Sequence, residues 1–462
     1  MAKISQESLD FVKSIALVDV AHALGLPLNR SGKQVFLPCP NPEHVEDKYE
    51  HCAIETRKNI FNCFTCNNVG GNNAISFYKW HMFGTREGHF QESVLGIGKL
   101  LGIEIKDTNG KVMVSGSTNY TPSVKYSNES LPPKEAAITH AVYSAILSLC
   151  SLHDHHRKEL MEKRKYTADE IKLRKFASVP TLEEWIKIYA LLKSKNYPLD
   201  RIPGLSQIFM PSAFSSKFPK ELGEVGQFED EKGAIHEGHW FYNLSAPRGY
   251  FIPVYDENGY IIRLRVRKDD GSPKYVWFSS EHNVDVEKSL KYARRNGASS
   301  GGPFTIAVPP QTLATWKAGT PLENVISTRT LMVTEGEHKS NIAAKVFGIP
   351  VIGLAGIGNF ETLIPFLQKW KINKLILAYD MDTLQAKDIS EKAQKNQQNL
   401  YQIVLNFAKI VKDLNITSCI WSWNIVDGKG IDDLVINRKL PIEFNLSTGQ
   451  QKPVTIQNLH DF

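Results

Sequence analysis

The sequence lacks the long hydrophobic segments that mark membrane and secreted proteins. No run of eighteen apolar residues occurs in its 462 residues, and no basic region followed by an apolar core opens the chain. A membrane-spanning helix requires such a run and a secretory signal requires such an opening, so neither is predicted. We therefore expect a cytoplasmic protein without a membrane partner.

Two further absences narrow the function. The sequence has no Gly-x-x-x-x-Gly-Lys-Ser/Thr pattern, which excludes a recognisable P-loop helicase motor. It also has only six cysteines, too few for a disulfide framework in a chain of this length, and four of them lie between positions 39 and 66. Cysteines clustered in this way indicate a metal site rather than disulfide bonds.

The composition is that of a large globular protein with a mild basic excess. A hydrophobic content of 42% can form substantial cores, and the length predicts two to four domains. The formal charge of +6 is compatible with a nucleic-acid partner, although many proteins with other partners are as basic. Composition alone therefore permits a nucleic-acid function without establishing one.

Two strand-to-cysteine corners near the N-terminus predict a zinc ribbon. One strand, 34–37, leads into Cys39, and another, 59–62, leads into the Cys-x-x-Cys knuckle of Cys63 and Cys66. Structural zinc requires four tetrahedral ligands, and such a knuckle supplies two of them from one corner. The three cysteines are therefore the predicted thiolate ligands, and no thioredoxin-like context supports a redox function instead.

The fourth zinc ligand remains open between three residues. A site with three thiolates needs one more donor, and the spacing favours His44 because it lies close after the first cysteine. Cys52 and His51, in the strand region between the two corners, are the alternative donors. The sequence thus predicts zinc with a Cys-His-Cys-Cys ligand set and keeps Cys52 as a substitute for His44.

A second group of histidines opens the helix predicted over 153–163. His153, His155 and His156 stand beside Asp154 and Arg157. Adjacent exposed histidines with charged neighbours are typical of a solvated helix start. We interpret them in that way and predict no metal site there.

Alternating arginines mark a predicted hairpin in the middle of the chain. Two β-type runs, 250–254 and 260–267, flank an Asp-Glu-Asn-Gly turn signal. Because side chains alternate between faces along a strand, the three arginines of the second run share one face. Such a face favours an anion such as a nucleic-acid backbone, although an ordinary solvated face paired with acids remains an alternative. The arginines are Arg263, Arg265 and Arg267.

Acidic residues follow buried-type strands in the last third of the sequence. Three such strands, separated by helical segments, are predicted between residues 331 and 379, which indicates a parallel sheet. Functional groups in these sheets collect beyond the carboxyl ends of the strands, where Glu335, Asp380 and Asp382 stand. Three converging carboxylates are typical of Mg²⁺ or Mn²⁺ binding, while ordinary helix caps are the structural alternative.

Three segments, in this order along the chain, resemble DnaG-type primases. Residues 35–77 resemble the Cys-His-Cys-Cys zinc-binding domain that opens bacterial and phage primases, and residues 248–275 resemble their basic subdomain. Residues 331–435 resemble the TOPRIM domain. The motifs that carry this last likeness are strand-Glu335-Gly336, strand-Gly356-Ile357-Gly358-Asn359, strand-Asp380-Met381-Asp382 and the later Asp432-Asp433.

The resemblance implies roles for individual residues. It implies structural zinc on Cys39, His44, Cys63 and Cys66, and catalytic Mg²⁺ or Mn²⁺ on Glu335, Asp380, Asp382 and Asp432. It also implies contacts to nucleic acid or nucleotide from Arg248, Arg263, Arg265, Arg267 and Lys274. Two departures from the family pattern are visible: four residues separate Cys39 from His44 where two are usual, and Gly430 stands where the family has a further aspartate.

Together these observations predict a multidomain α/β protein with four segments. They are a zinc-binding domain at 1–105, a linker at 106–134, an α+β basic subdomain at 135–325 and a TOPRIM domain at 326–462. The expected function is that of a phage, plasmid or mobile-element primase, which makes RNA primers from NTPs on single-stranded DNA beside a separate replicative helicase. The alternatives are a TOPRIM metal-dependent nuclease and a non-catalytic single-stranded DNA-binding replication protein.

Overall fold

The computed structural model describes most of the chain as two compact units, Met1–Ser130 and Leu131–Phe462. Each unit has hydrophobic cores of its own. The described residues are 4–31, 34–44, 51–56, 59–66, 69–117, 120, 133–212, 219–230, 233–280, 293–356, 360, 363–384 and 391–456.

The first unit is a small antiparallel sheet covered by helices. Its helices are α1 (Gln6–Lys13), α2 (Leu17–Ala23), α3 (Ala74–Phe83) and α4 (Phe90–Leu101), and its strands are β1 (Asn29–Ser31), β2 (Gln34–Leu37), β3 (Cys52–Glu55), β4 (Ile60–Cys63), β5 (Gly70–Gly71), β6 (Ile105–Lys106) and β7 (Val112–Val114). The first five strands form one sheet in sequence order. Val35 and Leu37 alternate with less buried residues, so β2 turns one face to the core.

The start of the predicted linker at 106–134 has regular structure. Strands β6 and β7 pair as a two-stranded antiparallel sheet, and Ile105 and Val114 are buried in the core of the first unit. The burial of these apolar residues explains why this part is ordered despite its polar composition. Most of the remaining linker prediction, 118–119 and 121–132, lies outside the described residues.

The second unit contains three sheets. Its helices are α5 (Ala136–Leu149), α6 (Asp154–Lys158), α7 (Ala168–Leu173), α8 (Leu182–Ser194), α9 (Pro310–Thr315), α10 (Glu337–Phe347), α11 (Ile364–Lys369), α12 (Met381–Leu384), α13 (Glu391–Asp413) and α14 (Ile431–Ile436). Its strands are β8 (Ala177–Ser178), β9 (Leu205–Pro211), β10 (Glu224–Glu229), β11 (Ile235–Leu244), β12 (Gly249–Tyr255), β13 (Ile261–Lys268), β14 (Tyr275–Trp277), β15 (Arg294–Arg295), β16 (Thr305–Ala307), β17 (Thr330–Glu335), β18 (Val351–Leu354), β19 (Lys374–Leu377), β20 (Thr417–Ser422), β21 (Ile442–Asn445) and β22 (Gln451–Pro453).

Two of these sheets have four antiparallel strands, in the orders β10-β11-β9-β15 and β14-β13-β12-β8. Helix α8 packs on their shared core because Trp185, Ile188, Tyr189 and Leu192 recur at helical spacing and are buried. Among the described helices none alone has the length and apolarity to cross a membrane, although Ala136–Leu149 and Asp154–Lys163, bent by 105° at their break, meet that criterion as a pair.

The predicted hairpin is formed by β12 and β13. They pair antiparallel, with Phe251 opposite Val266. The turn is held by Asp256, whose Oδ1 accepts backbone hydrogen bonds from Asn258 and Tyr260 at 2.9 Å each. Gly259 has φ +74°, a conformation that glycine adopts without steric cost. The sequence signal for the turn therefore had a local physical basis.

The third sheet has seven strands in the order β16-β18-β17-β19-β20-β21-β22. The four strands β18, β17, β19 and β20 are parallel, and the outer strands are antiparallel. The parallel strands are buried on both faces, which agrees with their continuous apolar sequences. The mixed α/β class with an N-terminal zinc ribbon is thereby confirmed.

Candidate metal and nucleic-acid sites

Four side chains of the first unit converge as a zinc site. The ligand atoms of Cys39, His44, Cys63 and Cys66 all lie within 4.8 Å of one another. The sulfurs of Cys39 and Cys66 are 3.8 Å apart, and Nδ1 of His44 lies 2.9 Å from the sulfur of Cys66. Three thiols and an imidazole are a standard donor set for tetrahedral Zn²⁺, so the residues fit the ion.

The fourth ligand position is taken by His44. Cys52 lies in β3, fully buried and opposite Cys63 in the strand register, and it does not belong to the converging group. His51 is likewise outside that group. Burial, followed by the neighbouring thiols, raises the pKa of Cys39. Uncoordinated thiolates would be unfavourable here, whereas a bound Zn²⁺ offsets this cost.

A cleft of about 460 Å³ lies at the carboxyl ends of the parallel strands in the second unit. Glu335 ends β17, Asp380 follows β19, and Asp432 lies in α14 after β20. Gly336 has φ +81° and joins β17 directly to α10, which accounts for glycine after the glutamate. The lining includes six basic and five acidic side chains: Arg164, Arg265, Arg267, Lys274, Lys339, Lys429, Glu335, Glu337, Asp380, Asp432 and Asp433.

Two lysines contact the acids that were predicted to bind the metal. Lys339 Nζ lies 2.5 Å from Asp380 Oδ1. Lys429 Nζ lies 3.0 Å from Asp382 Oδ2 and 3.5 Å from Asp380 Oδ2, and its side chain is 56% exposed. Lys429 therefore stands between the two carboxylates of the Asp-x-Asp motif. Because it is largely exposed, it can move into solvent at little cost when another cation enters.

The absence of a side chain at Gly430 leaves space for the side chain of Lys339. A Cβ at position 430 would lie 2.8 Å from Cε of Lys339, 2.6 Å from Asp432 Oδ1 and 3.2 Å from Asp380 Oδ1. No side chain fits there without movement of these groups. The departure from the family pattern noted at Gly430 is therefore coupled to a lysine that brings one positive charge to the same place.

Asp432 is the most buried acid of the cleft. Arg164 Nη1 donates to its Oδ2 at 2.9 Å, and the exposed fractions of the two side chains are 24% and 2%. Its other oxygen, Oδ1, is buried and has no hydrogen-bond partner among the residues that the structure describes. Burial, followed by the neighbouring charge of Asp433, raises the pKa of Asp432. An unpartnered buried carboxylate oxygen is a suitable ligand for a cation.

The same group of acids affects the pKa of Glu335. Burial raises the pKa of Glu335, and the charges of Asp380 and Asp382 raise it further. These oxygen donors fit Mg²⁺ or Mn²⁺, which prefer carboxylates, and Asp432 Oδ1 adds an unsatisfied one. The four predicted ligands would hold such an ion and the ion would supply charge neutralisation at this edge of the sheet.

The basic side of the cleft comes from the hairpin. Arg265 and Arg267 of β13 line it together with the exposed Lys274. The Arg265 guanidinium lies 4.4 Å from the ring centre of Trp277, with Nε 3.4 Å from Glu337 Oε1. Arg267 Nη2 lies 3.1 Å from Glu159. These contacts hold the guanidinium groups beside the acids.

Not every predicted contact residue lies in the cleft. Arg263 donates to the backbone oxygens of Ser300 and Ile262, at 2.6 Å and 2.5 Å, and does not line it. Arg248 lines a different cavity. Asp382 contacts Lys429 at the edge, although it is not one of the cleft-lining residues. The alternation rule placed Arg263 on the correct face, but β13 extends beyond the cleft at that end.

Sequence reasoning missed the groups that come from elsewhere in the chain. Arg164 belongs to a segment whose likeness to the helical entrance of primases was too loose to use. Lys339 carried no recognised motif, and Lys429 lies in the TOPRIM-like segment before Asp432 but was given no role. His338 is buried between Tyr166, at 3.2 Å, and Tyr250, at 3.0 Å. Burial and nearby arginines hold the pKa of His338 well below its usual range, so it is neutral and fixes α10.

Comparisons with known proteins support the zinc site of the first unit. Residues 4–112 match the CHC2 zinc finger of DnaG, and residues 323–440 match a domain of unknown function (DUF3854). No curated protein matches the sequence.

Similar solved structures are primases. That of the Aquifex aeolicus primase, with zinc-binding and RNA polymerase domains, is 16% identical, with 94% of this chain and 82% of that one covered and a TM-score of 0.38. The RNA polymerase domain of Mycobacterium tuberculosis DnaG is 13% identical, with 65% and 80% covered and a TM-score of 0.38. A DnaG primase catalytic domain bound to ssDNA is 12% identical, with 65% and 74% covered and a TM-score of 0.37.

The zinc-finger match covers the four converging ligands of the first unit. The second unit adds a parallel sheet with a cleft lined by acids and bases. The chain therefore carries the CHC2 zinc finger of DnaG-type primases, and this supports a primase-type function.

Proposed function

We propose that this protein is a DNA primase that synthesises short RNA primers on single-stranded DNA in the cytoplasm, in the replication of a phage or mobile element. The observation that carries the proposal is one cleft in which Glu335, Asp380 and Asp432 face Arg265 and Arg267. A polymerase needs acids for a divalent ion and bases for a polyanion in this relation. The zinc finger of the DnaG type supports the same function.

The acids have separate tasks in this proposal. Asp380 and Asp382 would hold Mg²⁺ or Mn²⁺ once Lys429 leaves the two carboxylates, and Asp432 would contribute Oδ1. When bound, the ion would supply charge neutralisation for the nucleotide phosphates while the primer 3′-hydroxyl displaces pyrophosphate from the α-phosphorus. The raised pKa of Glu335 suits a group that takes up a proton beside the reacting hydroxyl.

The bases bind the polyanions. Arg265, Arg267 and Lys274 contact the phosphates of the template strand and of the incoming nucleotide. Arg248 and Arg263, which lie outside the cleft, extend the contacts to the template. The zinc ribbon contributes to the choice of the start site, and a separate helicase supplies the single strand.

The test is primer synthesis by the purified full chain. It is incubated with single-stranded template, labelled ribonucleotides and Mg²⁺ or Mn²⁺, beside Asp380→Asn. We expect short oligoribonucleotides that fall by about 100-fold or more in the variant, since a neutral amide binds the ion poorly. Asp413→Asn, at an exposed position at the end of α13, is the matched control and retains synthesis.

Other outcomes separate the alternatives. Nicked DNA without synthesis, lost in Asp380→Asn, identifies a TOPRIM nuclease. Binding of single-stranded DNA with neither product identifies a non-catalytic replication protein. The ion pair between Lys339 and Asp380 is the observation that favours this second alternative, because a tightly held lysine competes with the metal for the same oxygen.

A further inference from the structure

Three histidines and one aspartate of the second unit meet outside the cleft. The ring nitrogens of His153, His155 and His156 lie within 4.8 Å of one another at the start of α6. Asp269, which follows β13, approaches the same point from a distant part of the sequence. The structure thus differs from the interpretation of a solvated helix start, since His156 is only 2% exposed.

A buried hydroxyl orients the most enclosed of these histidines. His156 Nδ1 lies 2.7 Å from Ser178 Oγ, and the same oxygen accepts the backbone N–H of His153 at 2.8 Å. Ser178 is itself 1% exposed, so the arrangement is fixed within the fold. A histidine whose Nδ1 is held in this way presents Nε2 to a ligand, as metal-binding histidines do.

The carboxylate of Asp269 lies close to His155 and His156. His156 Nε2 lies 2.6 Å from Asp269 Oδ1, and His155 Nε2 lies 3.9 Å from Asp269 Oδ2. The 2.6 Å contact is a direct hydrogen bond, so Asp269 would have to separate from His156 to reach the distance of about 3.3 Å between two donors that are each about 2.0 Å from a tetrahedral ion.

We propose that His153, His155 and His156 form a second site for a divalent transition metal of the Zn²⁺ class, with Asp269 beside it. Three imidazoles prefer zinc, cobalt or nickel to magnesium, and they leave the fourth tetrahedral position to Asp269 or water. A cavity of about 470 Å³, lined by all four residues, gives the ion access. Arg248 also lines this cavity, and its positive charge reduces the affinity without removing any donor.

Such an ion would fasten the start of α6 to the end of β13. The π-helical segment after α6 carries Glu159, which pairs with Arg267 of β13 at 3.1 Å, and it is followed by Arg164, which pairs with Asp432. The metal is therefore a structural clamp on the segment that supports the basic side of the cleft. Binding of the ion does not depend on what reaction the cleft performs.

The experiment compares the zinc content of full-length variants. Wild type, His155→Ala and His236→Ala are equilibrated with Zn²⁺, freed of excess ion and analysed for metal per chain. His155 has an exposed side chain, so its replacement should not affect folding. His236 is a matched control because it makes a similar 2.9 Å contact with Asp230 but belongs to no metal-ligand group among the described residues.

We expect His155→Ala to contain one zinc equivalent less than wild type, and His236→Ala to match wild type. Wild type and variants have the same zinc ribbon, so the zinc bound there cancels when their zinc contents are subtracted. A Co²⁺ titration of the chain loaded with one zinc equivalent, which the three thiolates of the ribbon bind first, gives a second measurement: the wild type should bind one cobalt without thiolate bands, and Asp269→Asn should bind it at least about tenfold more weakly. Equal zinc contents in wild type and His155→Ala overturn the proposal and leave a buried histidine-aspartate pair.

Discussion

The ion pair between Arg164 and Asp432 provides a quantitative test of the cleft. Arg164 donates to Asp432 at 2.9 Å and to the hydroxyl of Tyr275 at 3.0 Å. The Asp432 side chain is 2% exposed, and its Oδ1 already has no hydrogen-bond partner. In Arg164→Ala the carboxylate would therefore be buried without its hydrogen-bonded cation, and the nearby charge of Lys339 would still favour its ionised form.

The expected loss of stability follows from this burial. Removing one partner of a buried ion pair costs about 3–5 kcal/mol, because the other charge remains unsolvated. Arg164 is 24% exposed, so water can reach part of the space that it leaves. We therefore expect the free energy of unfolding of the second unit to fall by about 3 kcal/mol at neutral pH.

The loss should depend on pH in a defined direction. Burial already raises the pKa of Asp432, and Arg164 opposes that rise, so its removal raises this pKa further. A carboxyl whose folded pKa is raised penalises folding above that pKa, and the penalty vanishes as the pH falls toward the unfolded value. The difference between wild type and variant is therefore largest at neutral pH and shrinks in acid.

Urea unfolding of the full chain at neutral and mildly acid pH measures both effects. Arg157→Ala, which removes an exposed arginine of α6, is the matched control and should change stability by less than about 0.5 kcal/mol. Adding Asp432→Asn to Arg164→Ala should restore part of the loss, because the buried charge is then absent. A cost below about 1 kcal/mol, or an equal cost at both pH values, would refute the reasoning.

Three further predictions concern metal. Lys339→Gln should bind Mn²⁺ about tenfold more tightly by calorimetry, because the ammonium group 2.5 Å from Asp380 no longer competes; unchanged affinity contradicts this. As the pH is lowered, Glu335 should take up its proton above the ordinary carboxyl range because its pKa is raised, and Mn²⁺ affinity should begin to fall there. Glu335→Gln should remove this early fall from the pH profile. Cys63→Ser should lose the ribbon zinc and destabilise the first unit, measured by metal analysis and thermal unfolding; retained zinc would exclude Cys63 as a ligand.

Local patterns in the sequence were enough for much of the fold. Strand β2 has the bounds 34–37 that its residues predict, and the turn at Gly259 follows from its residue types. The order of strands and acids from 331 to 382 is also realised as a parallel sheet, although 357–359, which include Gly358 and Asn359 of the second motif, lie outside the described residues. Such features depend on neighbours in the chain, which a sequence displays directly.

Contacts between distant segments were not predictable in the same way. His44 joins the three cysteines, and Cys52 does not, because of the conformation of the loop after Cys39. The number of residues between ligands does not determine that conformation. The absence of a side chain at Gly430 became meaningful only with Lys339 beside it. The buried position of His156 likewise depends on Ser178, which lies on another element.

The sequence by itself determined the class of fold, the three thiolates of the ribbon and the set of acids at the strand ends, because each is encoded by residue type and local spacing. Tertiary structure alone decided which charges face those acids. Arg164 and Asp432 are 268 positions apart, and the lysines reach Asp380 from two other elements. Such pairings depend on how helices and loops pack around the sheet, and packing is a property of the whole chain rather than of any segment.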